Sequence, residues 1–78
     1  MTAKTDLREI DLVQVNWPFC LLELKSALEA MPQGQILKVK VSDPVVQCTM
    51  QQILYSSPDR VLQVEERDSM YVLTIIKG

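Results

Sequence analysis

The sequence predicts an α/β protein, an α+β two-layer sandwich with the element order βαβαββ, in which two helices cover one face of a four-stranded mixed sheet. Two observations carry this prediction. Four short segments alternate between apolar and polar residues, as strands do, and two segments between them repeat apolar residues every three or four positions, as helices do. An amphipathic helix must bury its apolar stripe, so the simplest packing places both helices against the apolar face of the sheet.

The first half of the chain contains one strand and one helix. Residues 7–13 alternate and predict the first strand. Pro18 suits the first position of a helix, because its missing N–H would have no intrahelical partner there. Pro32 and Gly34 end that helix. Its apolar stripe consists of Cys20, Leu24, Ala27, Leu28 and Met31.

The second half contains three strands and the second helix. Residues 36–41 alternate, with Lys38 and Lys40 on the polar face, and predict a strand with one buried face. The sequence Ser42-Asp43-Pro44 is typical of a helix start, and segment 56–59 ends that helix. The apolar stripe of the helix consists of Val46, Met50, Ile53 and Leu54. Two final strands, 60–66 and 70–76, are joined by Arg67-Asp68-Ser69 as an antiparallel hairpin.

Composition excludes several classes of function. The 78 residues are expected to form one domain, 1–78, with 47% hydrophobic and 23% charged residues. The absence of histidine removes Ser-His-Asp and Cys-His catalysis and His-ligated zinc. A net charge of -2 argues against a nucleic-acid partner. We predict no cofactor and no metal, and we interpret the acidic run at 65–68 as a solvated hairpin tip.

Localisation is predicted from the same composition. No stretch approaches the roughly 18 consecutive apolar residues of a membrane span, so no membrane partner is expected. The segment 1–12 carries charges throughout and lacks the apolar stretch of a secretory signal. We therefore expect a cytoplasmic protein whose two cysteines are reduced, which makes a structural disulfide an unexpected feature.

The cysteines and the single tryptophan are the candidate functional residues. Cys20 lies in the first helical turn, where backbone N–H groups and the helix dipole stabilise a thiolate, yet it also begins the apolar stripe, which favours a core role. Trp17, next to Phe19, is either an anchor for a partner surface or a structural residue, namely a staple against the first turn of the helix or a plug over a site at its start. The structural role is favoured for a small domain. Cys48 is predicted to be a partly exposed, passive thiol, although pairing between chains or with Cys20 stays open.

A set of short segments is spread along the chain from residue 10 to residue 78. In order, they are Ile10-Asp11, Trp17-Pro18-Phe19-Cys20, Leu24-Lys25, Ala27-Leu28, Met31, Gly34, Ser42-Asp43-Pro44 and Ile75-Ile76-Lys77-Gly78. Their order and spacing resemble the TusA/SirA-like family of small sulfur carriers, whose Cys-Pro-x-Pro motif opens the first helix. The resemblance implies that the sulfur-carrying cysteine of the family corresponds to Trp17, and that Gln14 replaces a glycine three residues before the motif.

Two functions follow from this resemblance. The first is a family member without persulfide-carrying activity that acts as an interaction or regulatory module through Trp17 and Phe19. The alternative is a working sulfur carrier or sulfurtransferase with Cys20 as a shifted persulfide acceptor and Pro18 at the helix entry. The implied partner is a cysteine desulfurase or another sulfur-relay protein. Because residues 70–76 are apolar on both faces, either that strand is central in the sheet or a weak homodimer covers it.

Overall fold

The computed structural model of the protein describes residues 7–78. It contains four strands and two helices in the predicted order βαβαββ, so the fold prediction is confirmed. The prediction about a targeting signal concerns residues 1–12, and the first six of these lie outside the described part of the chain. The elements are β1 (Leu7–Asp11), α1 (Phe19–Glu29), β2 (Ile36–Val41), α2 (Pro44–Tyr55), β3 (Arg60–Arg67) and β4 (Met70–Ile76).

The four strands form one mixed sheet in the spatial order β1-β2-β4-β3. Strands β1 and β2 run parallel and are connected through α1, whereas β4 pairs antiparallel with both β2 and β3. The last strand is therefore central, with a neighbour on each side. This position explains why its residues are apolar on both faces, because the side chains of β2 and β3 flank it on the open face as well.

The hydrophobic core lies between the sheet and the two helices. Alternate residues of the central strands point toward the helices, and the helical stripes pack against them. Both helices thus cover the same face, as predicted. The buried residues are Leu12, Cys20, Leu24, Ala27, Leu28, Met31, Leu37, Val39, Val41, Met50, Leu54, Leu73 and Ile75.

Some element boundaries differ from the prediction for local reasons. Strand β1 ends at Asp11 rather than at residue 13, because the Asp11 carboxylate accepts the N–H of Val13 at 3.0 Å and turns the chain. The hairpin turn has two residues rather than three, since Arg67 pairs with Met70. Asp68 and Ser69 adopt φ values of 52° and 64°, as a tight hairpin of the type I′ class requires.

Two features of the second half have no counterpart in the sequence pattern. The register of β3 against β4 shifts between Val61 and Gln63, which leaves Leu62 as an exposed bulge residue on an edge strand. Asp59 is buried, and its carboxylate accepts the backbone N–H of Gly78 at 2.8 Å, which holds the end of the chain against the sheet. In the part of the chain that the structure describes, neither helix has the length and apolarity needed to cross a membrane.

Candidate interaction site at the start of helix α1

The candidate site is formed by the loop after β1 and the first turn of α1. Leu12 extends the sheet by donating its N–H to the carbonyl of Lys40 at 2.8 Å, and the chain then turns toward the helix. The Trp17–Pro18 peptide bond is cis, and Pro18 directly precedes α1 rather than occupying its first position. Its carbonyl accepts the N–H groups of Leu21 and Leu22 at 3.1 and 3.2 Å. Proline therefore ends the loop and begins the helical hydrogen-bond ladder.

Cys20 is a core residue in this structure. Its relative exposure is 1%, and it belongs to the same buried cluster as Leu24 of the next helical turn. Its backbone N–H donates to the carbonyl of Asn16 at 3.0 Å, so the first turn is already closed around it. A thiol enclosed in this way cannot meet a bulky protein donor unless the helix start moves away from the sheet.

Three exposed apolar side chains, Trp17, Phe19 and Leu22, lie at the start of α1. Their relative exposures are 44%, 62% and 57%, and Phe19 and Leu22 lie three residues apart on the same side of α1. We call these three side chains the helix-start patch. The indole is more than half covered but still presents a large part of its surface, so it is not a buried plug. Leu22 was not predicted as a site residue, although its position outside the apolar stripe of α1 was a usable signal.

Cys48 lies on a separate surface. It is exposed on α2, as predicted, and lines a groove of about 480 Å³ with Gln51, Gln52, Tyr55 and Val61. The amide of Gln52 donates to its sulfur at 3.9 Å. Both cysteines are free thiols, and the structure does not bring them together as a disulfide.

The acidic hairpin tip lies at the turn between β3 and β4, and its carboxylates can be compared with the ligand groups of a metal site in residues 7–78. There, no group of three or more potential metal ligands converges. Glu65 instead makes an ion pair with Arg67 at 3.6 Å, while Glu66 and Asp68 are exposed to solvent. This arrangement is consistent with a solvated turn, in which exposed ion pairs contribute little to stability.

A protein-family model described as "Sulfurtransferase TusA" matches residues 8–77, and the chain belongs to the TusA family. The crystal structure of a SirA-like protein from Desulfitobacterium hafniense is similar to this chain with a TM-score of 0.78 at 22% sequence identity. That similarity covers 91% of this chain and 97% of the other, and it shows a shared fold. A comparison with curated proteins found no match.

Proposed function

We propose that this TusA-family protein does not carry sulfur and acts as an interaction or regulatory module through the helix-start patch. One observation carries the proposal. An indole with 44% exposure stands at the motif position of the sulfur-carrying cysteine, while the nearest thiol in sequence, Cys20, is 1% exposed. The chain keeps the fold of the family, but an apolar contact surface replaces the cysteine thiol that would carry the sulfur.

The chemistry of sulfur transfer explains why Trp17 cannot serve. A carrier thiolate attacks the terminal sulfur of a donor persulfide, a new S–S bond forms, the old one breaks, and the donor leaves as a thiolate. An indole offers no such nucleophile. A large, rigid aromatic side chain is instead well suited to anchor a protein interface, where tryptophan is enriched among the residues that dominate binding.

The proposed partner is a protein of sulfur relay, in the first instance a cysteine desulfurase. Proteins of the TusA family work in sulfur relay with other proteins. A chain with the same fold and an apolar patch in place of the thiol keeps the shape needed to dock but has no site to load. The site residues in this proposal are Trp17 and Phe19, with Leu22 extending the contact along α1.

The alternative function is a sulfur carrier that uses Cys20 as a shifted acceptor. It is favoured by one observation, the location of Cys20 in the first turn of α1, where helix dipole and backbone N–H groups support a thiolate. It requires the first turn of α1 to open, since the side chain is enclosed by the core.

A loading assay distinguishes the two functions. The wild-type chain and the variants Cys20→Ser and Cys48→Ser are incubated with a cysteine desulfurase and cysteine, and intact and peptide masses are recorded. We expect no added sulfur on Cys20, while a TusA-family carrier with an intact motif becomes loaded in the same mixture. Added sulfur on Cys20 of the wild type that disappears in Cys20→Ser would support the alternative function instead.

The binding half of the proposal has its own test. Trp17→Ala is expected to weaken binding to the desulfurase by at least about 30-fold, because a hot-spot truncation costs about 2 kcal/mol or more. Titration followed by calorimetry measures this change. Leu62→Ala is the matched control, since Leu62 is also an exposed apolar residue but lies on the β3 edge strand. Equal binding by Trp17→Ala and wild type would contradict the role of the patch.

A further inference from the structure

The open face of the sheet carries two neighbouring columns of opposite charge. In the register of β1 and β2, Glu9 pairs with Lys38 and Asp11 pairs with Lys40. The lysines alternate with buried residues of β2 and therefore point away from the helices, and partners in adjacent strands share a face. The acidic column thus lies on the edge strand β1, directly beside the basic column of β2.

Within residues 7–78, these four charges make no ion pair with one another or with other side chains. Among residues 7–78, the ion pair within 4.0 Å is that of Arg67 with Glu65, at the hairpin tip. The Asp11 carboxylate accepts a hydrogen bond from Val13 N–H, which leaves its charge in place. As far as residues 7–78 are concerned, the four side chains of the two columns are available to charges of a partner.

The two columns form a self-complementary patch. A two-fold contact uses the same surface on both protomers, so a patch must match its own rotated copy. We propose that a second copy of this chain packs on the open face about a two-fold axis that runs parallel to the strands, midway between β1 and β2. This rotation places Glu9 and Asp11 of each protomer over Lys38 and Lys40 of its partner.

The shape of the face and its remaining charges support this axis. A shallow cavity of about 380 Å³ lies on the same patch, lined by all four charged side chains together with Ile10 and Val72, and would receive side chains of the partner. An axis between β2 and β4 would instead bring Asp11 over Glu65, because these two residues stand in one row across the sheet. Like charges in opposition disfavour that arrangement.

The expected dimer is weak and sensitive to salt. The contact involves two short strands and solvent-accessible charges, and it is therefore smaller than the interfaces of stable dimers. Salt screens ion pairs of this kind, and the screening increases strongly as the ionic strength rises from about 0.01 M to about 1 M. This surface is distinct from the helix-start patch, so the dimer does not depend on the proposed function.

Sedimentation equilibrium with charge reversal tests the proposal. We expect wild-type protein to self-associate at low ionic strength, with a dissociation constant that rises at least about tenfold at high salt. Lys38→Glu/Lys40→Glu makes both columns acidic, and Glu9→Lys/Asp11→Lys makes both basic, so each variant alone should be monomeric. An equimolar mixture of the two should associate again, because the acidic face of one matches the basic face of the other.

Two controls separate the effect of this surface from effects of net charge and of folding. Lys25→Glu changes net charge on the exposed side of α1 and should leave self-association unchanged. Because Asp11 also holds the turn after β1, the single changes Glu9→Lys and Lys38→Glu provide a second complementary pair, and circular dichroism verifies folding. A wild-type chain that is monomeric at high micromolar concentration in low salt overturns the proposal. So does a dimer that survives either reversal or a mixture that fails to associate.

Discussion

At a desulfurase concentration raised to offset the lost Trp17 contact, Trp17→Cys is expected to accept persulfide sulfur at position 17, whereas the wild-type chain is not loaded. The substitution places a thiol just ahead of the proline that precedes α1, at the position that the motif resemblance assigns to the family cysteine. The wild-type side chain there is 44% exposed, so a smaller thiol would be reachable from solvent. The N-terminus of α1 would also favour the thiolate that performs the attack.

The measurement is a peptide mass that shows one added sulfur atom on residue 17 after loading. Trp17→Ser is the matched control, because it makes a similar reduction in size without a thiol and should stay unloaded. A combined Trp17→Cys/Cys20→Ser variant shows that Cys20 takes no part. Trp17→Cys could remain unloaded although it is folded and binds the desulfurase. In that case the shared fold is not sufficient for sulfur transfer, and residues other than residue 17 also distinguish this chain from a carrier.

The apolar stripe of α1 shows how much of the site was predictable from the sequence. Its spacing of three and four residues identified Cys20 and Leu24 as neighbours on the buried side of one helix, and the structure confirms that both are buried. Local periodicity is sufficient for such a prediction, since a helix has one face to bury. The expectation that Cys20 is a core residue followed directly from it.

The exposure of Trp17 could not be predicted from helical periodicity. Trp17 precedes the helix in an irregular loop, where no periodicity indicates which way a side chain points. Its partial cover depends on how the loop returns from β1 to the helix, which is a tertiary property. The plug interpretation relied on the general burial of tryptophan in small domains, and the structure leaves too much of the indole exposed for it.

The apolar residues of β4 on the open face of the sheet also could not be explained from the sequence alone. The alternation of residues 70–76 left two explanations open, a central strand or a covered surface. The first explanation depends on strand order, which cannot be obtained from the periodicity of one segment, because it is set by long-range pairing. The structure places β4 between β2 and β3, whereas self-association stays a proposal that rests on the charges of β1 and β2.

Leu24→Ala is expected to destabilise the domain by about 2–5 kcal/mol, through loss of buried apolar surface and creation of a cavity. Leu24 has 0% relative exposure and lies in the core cluster between α1 and the sheet. A single core of this size supplies only about 3–5 kcal/mol of net stability, so the variant should be largely unfolded at 37 °C. Thermal and urea unfolding, followed by circular dichroism, measure the loss.

Leu22→Ala provides the matched control because it makes the same chemical change on the same helix. Leu22 is 57% exposed, so its truncation should alter the free energy of unfolding by no more than about 0.5 kcal/mol. The contrast between two leucines two residues apart tests which side of α1 faces the sheet, and with it the enclosure of Cys20 on that same side. If the two variants lost equal stability, the helix would be oriented differently, and Cys20 would have to be reconsidered as a reachable thiol.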